Sequence, residues 1–280
     1  MAVRIVTDSA CDLPEATCAE MGIEVVPLSI RFGEREYVDR VELSVEAFWR
    51  ELLASPVLPE TAAPSVGAFE ETFRRLAASG ADGIVCVNLS SRLSATMQSA
   101  QLAAKALEGE IEIAVVDSLS ASMGEGNLAL VGARAAAAGA DVAGTVAAIE
   151  DARSRQHVFA TLDTLEYLRK GGRIGGAQAL LGSVLSIKPV VAVLDGIVQP
   201  IGKVRTRSKA LQAVLERVPT EPGSIEAVCV LHAMAPEIDQ FVADLRGIVG
   251  DLDILVGTIG PVVGVHTGPR VLGLAYIQRA

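Results

Sequence analysis

The first half of the chain alternates short apolar segments with segments of helical spacing, and this alternation limits the possible folds most strongly. Residues 3–6, 83–87 and 111–116 are apolar runs of strand length, each followed by a segment with helical periodicity. Parallel strands need a crossover connection, usually a helix. The pattern therefore predicts a mostly parallel sheet with helices on both faces, an α/β fold of three layers.

Polar residues follow these predicted strands at the point where each strand ends. Residues 7–9 read Thr-Asp-Ser, 88–91 read Asn-Leu-Ser-Ser, and 117–118 read Asp-Ser. Ligands of open α/β sheets bind beyond the carboxyl ends of the strands, so these side chains predict a polar floor there. The same residue types also cap the helices that follow, and that role stays open for each of them.

The remaining elements predict two domains. In the first half we also expect a strand at 23–30, a turn into a short partner strand at 31–38, and a loop at 55–64, which contains three prolines. In the second half we expect strands at 157–162, 188–194, 197–204, 225–231, 254–259 and 271–277, and helices at 164–170, 175–185, 207–217 and 235–249. Asp195-Gly196 between two apolar runs indicates a hairpin. We predict an N-terminal α/β domain at 1–156 and a C-terminal mixed α/β domain at 157–280.

The apolar composition requires a test for membrane insertion. Half of the 280 residues are hydrophobic, and the mean hydropathy is +0.41. The longest apolar regions, 127–149 and 177–198, are interrupted by Arg134 and by Lys188 with a following proline. A spanning helix needs about 20 predominantly apolar residues, and the N-terminus lacks the apolar core of a signal peptide. We therefore expect a cytoplasmic protein with no integral membrane segment.

Charge and motif content exclude several functional classes. A net charge of −10 disfavours nucleic acid as a partner. Four cysteines without metal-site spacing and only three histidines predict buried thiols and no metal site. The chain contains no phosphate-binding loop, no dinucleotide fingerprint and no nucleophile elbow, so we expect no cofactor and no self-contained catalysis. Basic runs at 169–173 and 203–209 indicate either an anion site or acidic partner, or simply a solvated face.

Seven segments together resemble the DegV family, in the order and over nearly the whole length that the family shows. They are 7–9 (TDS), 61–65 (TAAPS), 90–100 (SSRLSATMQSA), 165–174 (LEYLRKGGRI), 188–190 (KPV), 202–207 (GKVRTR) and 264–269 (GVHTGP). Each segment alone is a weak signal, whereas the ordered set is specific.

The resemblance implies two α/β domains with a lipid tunnel between them and one bound long-chain fatty acid, such as palmitate. It also implies that the protein is the acyl-carrying subunit of a fatty-acid kinase. A separate ATP-binding subunit would phosphorylate the carboxylate, so the carrier itself would not be an enzyme.

The resemblance further implies site residues. Thr61 and Ser94 match the residues that donate hydrogen bonds to the carboxylate, and Ala95 follows that serine. Arg173 and His266 match contacts to the head group or phosphate. Arg205 matches an arginine that engages the kinase subunit, and Arg173 is also expected to serve phosphoryl transfer.

Some positions depart from the family pattern. Ala95 stands where glycine is common, so a positive φ there would be strained. Ala62 and Ala63 replace two polar residues, and Arg270 replaces a glycine. Two alternatives stay open: a self-contained enzyme that acts on a phosphorylated small molecule, and a lipid transport or sensing protein without a kinase partner.

Overall fold

A computed structural model describes residues 2–181 and 187–280 of the chain. It shows an α/β fold, with a parallel sheet in the N-terminal part and a mixed sheet in the C-terminal part. The strands of the N-terminal part are β1 (Val3–Asp8), β2 (Ile23–Val26), β3 (Ser29–Phe32), β4 (Arg35–Val38), β5 (Glu60–Ala62), β6 (Gly83–Asn88) and β7 (Glu112–Asp117). Its helices are α1 (Glu15–Met21), α2 (Val45–Ala54), α3 (Val66–Ala78), α4 (Thr96–Ala106), α5 (Met123–Ala137) and α6 (Val142–Ser154).

The C-terminal part continues with elements that were mostly predicted to within a few residues. Its strands are β8 (Gln156–Thr161), β9 (Lys188–Leu194), β10 (Ile197–Val204), β11 (Ile225–His232), β12 (Ile254–Thr258) and β13 (Leu272–Gln278). Its helices are α7 (Glu166–Lys170), α8 (Arg207–Leu215), α9 (Ile238–Val249) and α10 (Pro261–Thr267). Two 3₁₀ turns cover Ser9–Cys11 and Gly175–Leu180.

The N-terminal sheet confirms the parallel prediction. Its strand order is β2-β1-β6-β7, and all three strand pairs are parallel. Every residue of β6 is buried, as expected for a central strand covered by helices on both faces.

A small antiparallel sheet has the order β4-β3-β5. The partner strand predicted at 31–38 is confirmed as β4, which pairs with β3, whereas β5 was missed by the sequence prediction. The predicted strand 23–30 divides at Pro27, and its two halves join different sheets. Proline lacks the N–H that a ladder needs, which explains the division. The predicted loop 55–64 was wrong at Glu60–Ala62, which form β5, and Thr61 pairs there with Ile30.

The C-terminal sheet has the order β10-β9-β8-β13-β11-β12, with one parallel pair and four antiparallel pairs. The predicted hairpin at Asp195-Gly196 joins β9 and β10. Both residues have positive φ, 49° and 77°, as a type I′ turn requires.

Two helix predictions need correction. The predicted helix 175–185 is a 3₁₀ turn at Gly175–Leu180, and its residues 182–185 lie outside the described residues. Helix α10 was not predicted, because its seven residues are too few to show helical periodicity. It begins with Pro261, which is favoured at the first helical position, and it carries His266.

The two sheets share one hydrophobic core. Helix α5 packs against β1 on one side and against β13 and β11 on the other. Buried Ile5, Leu128 and Ala275 belong to the same cluster. The domain boundary after residue 156 stays a prediction. Among the described residues, no helix has the length and apolar character that crossing a bilayer requires.

Candidate functional site

Thr61 and His266 meet although 205 positions separate them in the chain. Strand β5 holds Thr61, and α10 holds His266. The Oγ1 atom of Thr61 lies 3.0 Å from Nε2 of His266. This contact depends on β5 and α10, two elements that were not predicted. For this reason only the family resemblance indicated these two residues.

His266 is neutral at physiological pH. Its burial, together with the positive charge of Arg173, lowers the pKa of the imidazole to about 4. Its Nδ1 atom is buried without a hydrogen-bond partner among the described residues. A buried N–H without an acceptor costs more free energy than a buried lone pair without a donor. The proton of the imidazole is therefore assigned to Nε2. Nε2–H then donates to Thr61, whose own hydroxyl hydrogen is free for a ligand.

Backbone carbonyls orient Arg173. Its Nε donates to the carbonyl of Leu93 at 3.0 Å, and its Nη1 donates to the carbonyl of Gly171 at 2.8 Å. Gly172 has φ of 71°, so the glycine pair forms a bend before this arginine. The two bonds fix the plane of the guanidinium, and within residues 2–181 and 187–280 no hydrogen bond of Nη2 competes with an anion.

Ser94 and Ala95 form the entry to α4. Ser94 Oγ lies 2.8 Å from Oγ1 of Thr96 and accepts a hydrogen bond from the Thr96 N–H at 3.3 Å. Ser94 therefore takes part in capping as well as lining a cavity. Ala95 has φ of −81°. The strain considered for alanine at this position does not arise.

Two adjacent cavities share Thr61, Arg173 and His266. The apolar cavity has a volume of about 80 Å³, and its other walls are mostly apolar: Leu28, Leu89, Leu93, Ala121, Leu168, Val198, Val262 and Val263 with Ser94 and Thr267. The polar cleft has a volume of about 360 Å³ and includes Glu60, Lys170 and Gly171. Three polar side chains thus line both the apolar cavity and the polar cleft.

The apolar cavity is lined by residues from both the N-terminal and the C-terminal part of the chain. Its volume corresponds to only two or three water molecules, at about 30 Å³ each. A long acyl chain requires these walls to separate further. Val262 and Val263 lie at the cavity, whereas Val190, Val191 and Val193 pack in the core around β9.

Arg205 is not part of either cavity. It is exposed on the segment between β10 and α8. Lys203 in β10 and Lys209 in α8 are exposed as well. Arg207 of the same basic run turns inward, with 12% of its side chain exposed, and lies 3.6 Å from Glu237 and 4.0 Å from Asp163. Burial lowers the pKa of Arg207.

The predicted polar floor is an internal network. Asp8 accepts hydrogen bonds from the Leu89 N–H at 2.9 Å, from Asn88 at 3.2 Å and from the Ala10 N–H at 3.0 Å. These strand ends do meet, but neither Asp8 nor Asn88 is among the described walls of the two cavities. The capping role left open for Asp8 is the one observed.

Sequence reasoning missed Glu125, which is fully buried and accepts a hydrogen bond from Thr7 at 2.9 Å. Burial and the nearby Asp8 raise its pKa well above the ordinary value. It sits within α5, where the alanine-rich pattern gives no signal for a buried carboxyl. Within residues 2–181 and 187–280, no group of three or more histidine, cysteine or acidic side chains could hold a metal ion.

Comparison with solved structures shows the same fold in fatty-acid-binding proteins. A DegV family protein from Thermus thermophilus, described by its fatty acid binding, is 31% identical with a TM-score of 0.89 over 100% of both chains. A stearic acid-binding protein from Eubacterium ventriosum is 28% identical with a TM-score of 0.90, covering 99% of this chain and 98% of that one. DegV from Bacillus subtilis, described as a fatty acid binding protein, is 26% identical with a TM-score of 0.89 over both whole chains.

Sequence comparison extends over the same length. A DegV domain-containing protein from Streptomyces coelicolor is 40% identical over 281 residues, which cover 99% of each chain. The model of the DegV family, a family described as uncharacterised proteins, matches residues 2–279. The chain belongs to the DegV family.

Proposed function

We propose that this chain binds one long-chain fatty acid and presents its carboxylate to a separate ATP-dependent kinase subunit. The observation that carries the proposal is the position of Thr61, Arg173 and His266 between an apolar cavity and a polar cleft. An amphiphile with one anionic end matches that arrangement. The fatty acid binding described for the structural relatives supports it.

The proposed carboxylate contacts are the hydroxyls of Thr61 and Ser94 and the free Nη2 of Arg173. A buried carboxylate must be paired or hydrogen-bonded, and bonds to a charged group are about twice as strong as neutral ones. His266 would orient Thr61 through their 3.0 Å contact. Ala95 would contribute its backbone at the start of α4, where the helix dipole favours an anion.

The acyl tail would lie in the apolar cavity after its walls move apart. Each buried methylene contributes about 0.8 kcal/mol, so about fourteen give an upper bound near 11 kcal/mol before ordering costs. Tail burial would therefore dominate affinity. The polar residues would set the position of the carboxylate along the chain.

The kinase would approach through the polar cleft and the exposed basic segment. Lys203, Arg205 and Lys209 are exposed, in a chain with net charge −10, so an acidic face of a partner would be attracted there. Arg173, which lines both the cavity and the cleft, would contact the developing acyl phosphate. The proposal includes a cytoplasmic location, where ATP is present, and no catalysis by the carrier itself.

The test for binding is denaturing extraction of purified protein and mass spectrometry of the released compounds. The proposal predicts about one equivalent of long-chain fatty acid. An empty protein that also fails to take up added palmitate, or one that carries a sugar phosphate, would contradict it and favour an enzyme that acts alone.

The test for presentation adds a bacterial fatty-acid kinase subunit, ATP and loaded protein, and measures acyl phosphate. We expect Arg205→Glu to bind lipid normally, and Arg173→Ala, which loses one carboxylate contact, to be loaded at saturating palmitate because tail burial dominates affinity. Each variant should reduce acyl phosphate formation at least tenfold. Arg246→Glu, an exposed arginine on α9, is the matched control for charge reversal. If the wild-type protein binds lipid but forms no acyl phosphate with the kinase subunit and ATP, the result would favour a transport or sensing protein.

A further inference from the structure

A second groove in the N-terminal part is separate from the proposed lipid site. Its volume is about 370 Å³, at the lower end of the range of about 300–1,000 Å³ that is typical of small-molecule sites. None of its described wall residues lines the apolar cavity or the polar cleft. Most of its wall is apolar, with Leu13, Val25, Pro27, Val45 and the buried free thiols of Cys11 and Cys18.

Asp39 lines this groove with a carboxyl group that lacks a hydrogen-bond partner. The residue is only 1% exposed, and neither of its carboxyl oxygens has a partner with hydrogen-bond geometry among the described residues. Ser9 and Arg40 lie near enough to favour the charged form, but burial outweighs them and raises the pKa of Asp39 to about 7. A buried carboxyl group without a partner is costly, so a ligand that supplies hydrogen-bond donors would stabilise it.

Arg40, the one basic residue among the described residues of the groove wall, is paired with a different carboxylate. Its Nη2 atom donates to Oδ1 of Asp12 at 2.9 Å. Asp12 also accepts hydrogen bonds from the Gly260 N–H at 2.7 Å and from the Ser122 hydroxyl at 2.5 Å. Two buried carboxyl groups of this region therefore differ, because Asp12 has several donors and Asp39 has none.

The charges of the groove wall favour a cation as the ligand. Three acidic side chains and one basic side chain line the wall, and the acidic Glu15 and Glu46 are exposed. The Nε atom of Arg40 is buried without a partner as well, and a neutral hydroxyl could accept from it. A charged donor, however, forms a hydrogen bond with a carboxylate that is about twice as strong as a neutral one.

We propose that this groove binds a small organic ammonium ion, whose charged group donates to Asp39 and whose apolar body packs against Leu13 and Val45. A primary ammonium group carries three N–H donors, so it can supply both carboxyl oxygens. The apolar wall suits a hydrocarbon body better than a bare ion. Within the described ranges 2–181 and 187–280, no cluster of three acidic, histidine or cysteine side chains could hold a metal ion.

Calorimetric titration of the purified protein with hexylamine at pH 8 tests the proposal. An alkyl ammonium stays protonated at this pH, as lysine does with a pKa near 10.4, and the Asp39 carboxyl, with its pKa of about 7, is mostly ionised. We expect one hexylamine to bind per chain and hexan-1-ol to bind at least tenfold more weakly. Asp39→Asn, which keeps the shape of the side chain, should weaken hexylamine binding at least tenfold. Asp251→Asn changes an exposed acidic residue outside the groove and should bind normally.

Three results would overturn the proposal: no binding of hexylamine at millimolar concentration, equal binding of hexan-1-ol, or unchanged binding by Asp39→Asn. If Asp39→Asn fails to fold, the amide resonances of the ¹⁵N-labelled wild-type protein decide. Hexylamine should shift the resonances of Val41 and Ser44, which line the groove. Larger shifts at Lys170 and Gly171, which line the polar cleft, would place the amine elsewhere and contradict the proposal.

Discussion

Thr61 and His266 show how side chains that are neutral themselves could form part of the proposed carboxylate site. The imidazole is held neutral by burial and by Arg173, so in the proposal it positions the Thr61 hydroxyl and adds no charge. Arg173 supplies the positive charge, with two of its nitrogens bound to backbone carbonyls. The chemistry of each side chain was evident from its type, but their meeting was not, because β5 and α10 gave no pattern in the sequence.

Removal of the two hydroxyls tests the carboxylate contacts. We expect Thr61→Ala with Ser94→Ala to reduce fatty acid affinity by about tenfold per hydroxyl, since a hydrogen bond to a charged group contributes about 1.5–3 kcal/mol. Affinity is measured by titration of delipidated protein, and folding by circular dichroism. Thr72→Ala removes a hydroxyl that bonds to the Ala68 carbonyl within α3, and this control should bind normally. Equal affinity in the double variant would disprove the assignment.

The low pKa of His266 predicts a stability change with pH. The unfolded chain has an ordinary histidine pKa near 6.5, whereas the folded value is about 4. Between these values the unfolded state binds more protons, so the folded state loses stability as the pH falls from about 7 to 4. This contribution is at most about 3 kcal/mol.

Urea unfolding at pH 7 and at pH 4.5 measures this effect through a comparison of wild type with His266→Gln. Burial raises the pKa of Asp39 to about 7, which acts in the opposite direction in both proteins and cancels in the comparison. We expect the wild type to lose more stability than the variant. An identical loss would show that His266 is protonated without penalty.

At the scale of elements, short segments position the side chains of the proposed site, whereas the long strands and helices form the sheets and the core around them. The three residues of β5 place Thr61, the seven residues of α10 place His266, and the bend after α7 places Arg173. The parallel sheet and the long helices were predictable from periodicity, because repeated apolar positions average over many residues. Segments of three to seven residues have no such average, and tertiary pairing decides their structure.

The end of α7 offers an elementary steric test. A Cβ on Gly171 would lie 2.2 Å from Nδ1 of His266, while the backbone there has φ of −77°, which any residue accepts. Gly171→Ala should therefore displace the imidazole and lower lipid affinity at least tenfold. Gly247→Ala on α9 has open space around its Cβ and should stabilise the protein by about 0.4–1 kcal/mol without affecting binding. Unchanged binding by Gly171→Ala would show that His266 does not need its observed position.

At the scale of the whole molecule, α5 joins the two sheets into one core. The sequence predicts two separate domains because the strand patterns of the two halves differ, and that division stays a prediction. The core that the two sheets share could not be predicted, because the alanine-rich sequence of α5 is compatible with packing on either face. Trp49, the single tryptophan, reaches across as well: it lies on α2 and donates its indole N–H to the carbonyl of Ile259 at 3.2 Å.

This shared core predicts one cooperative unfolding transition. Trp49 fluorescence reports the contact between the halves, and far-ultraviolet circular dichroism reports all helices. We expect the two transitions to coincide in urea. Separate midpoints would instead indicate that the parts before and after residue 156 unfold independently.

Titration of the carboxyl group of the bound acid tests whether Thr61, Ser94 and Arg173 hold it as a carboxylate. The delipidated protein is loaded with palmitate labelled with ¹³C at the carboxyl carbon, and its resonance is followed from pH 8 to pH 4. We expect the chemical shift to show that the bound carboxyl stays ionised at pH values where free fatty acids are protonated. The shift should change in Arg173→Gln but not in Arg205→Gln. A resonance that titrates as in free acid, or that ignores Arg173→Gln, would contradict a carboxylate held at this site.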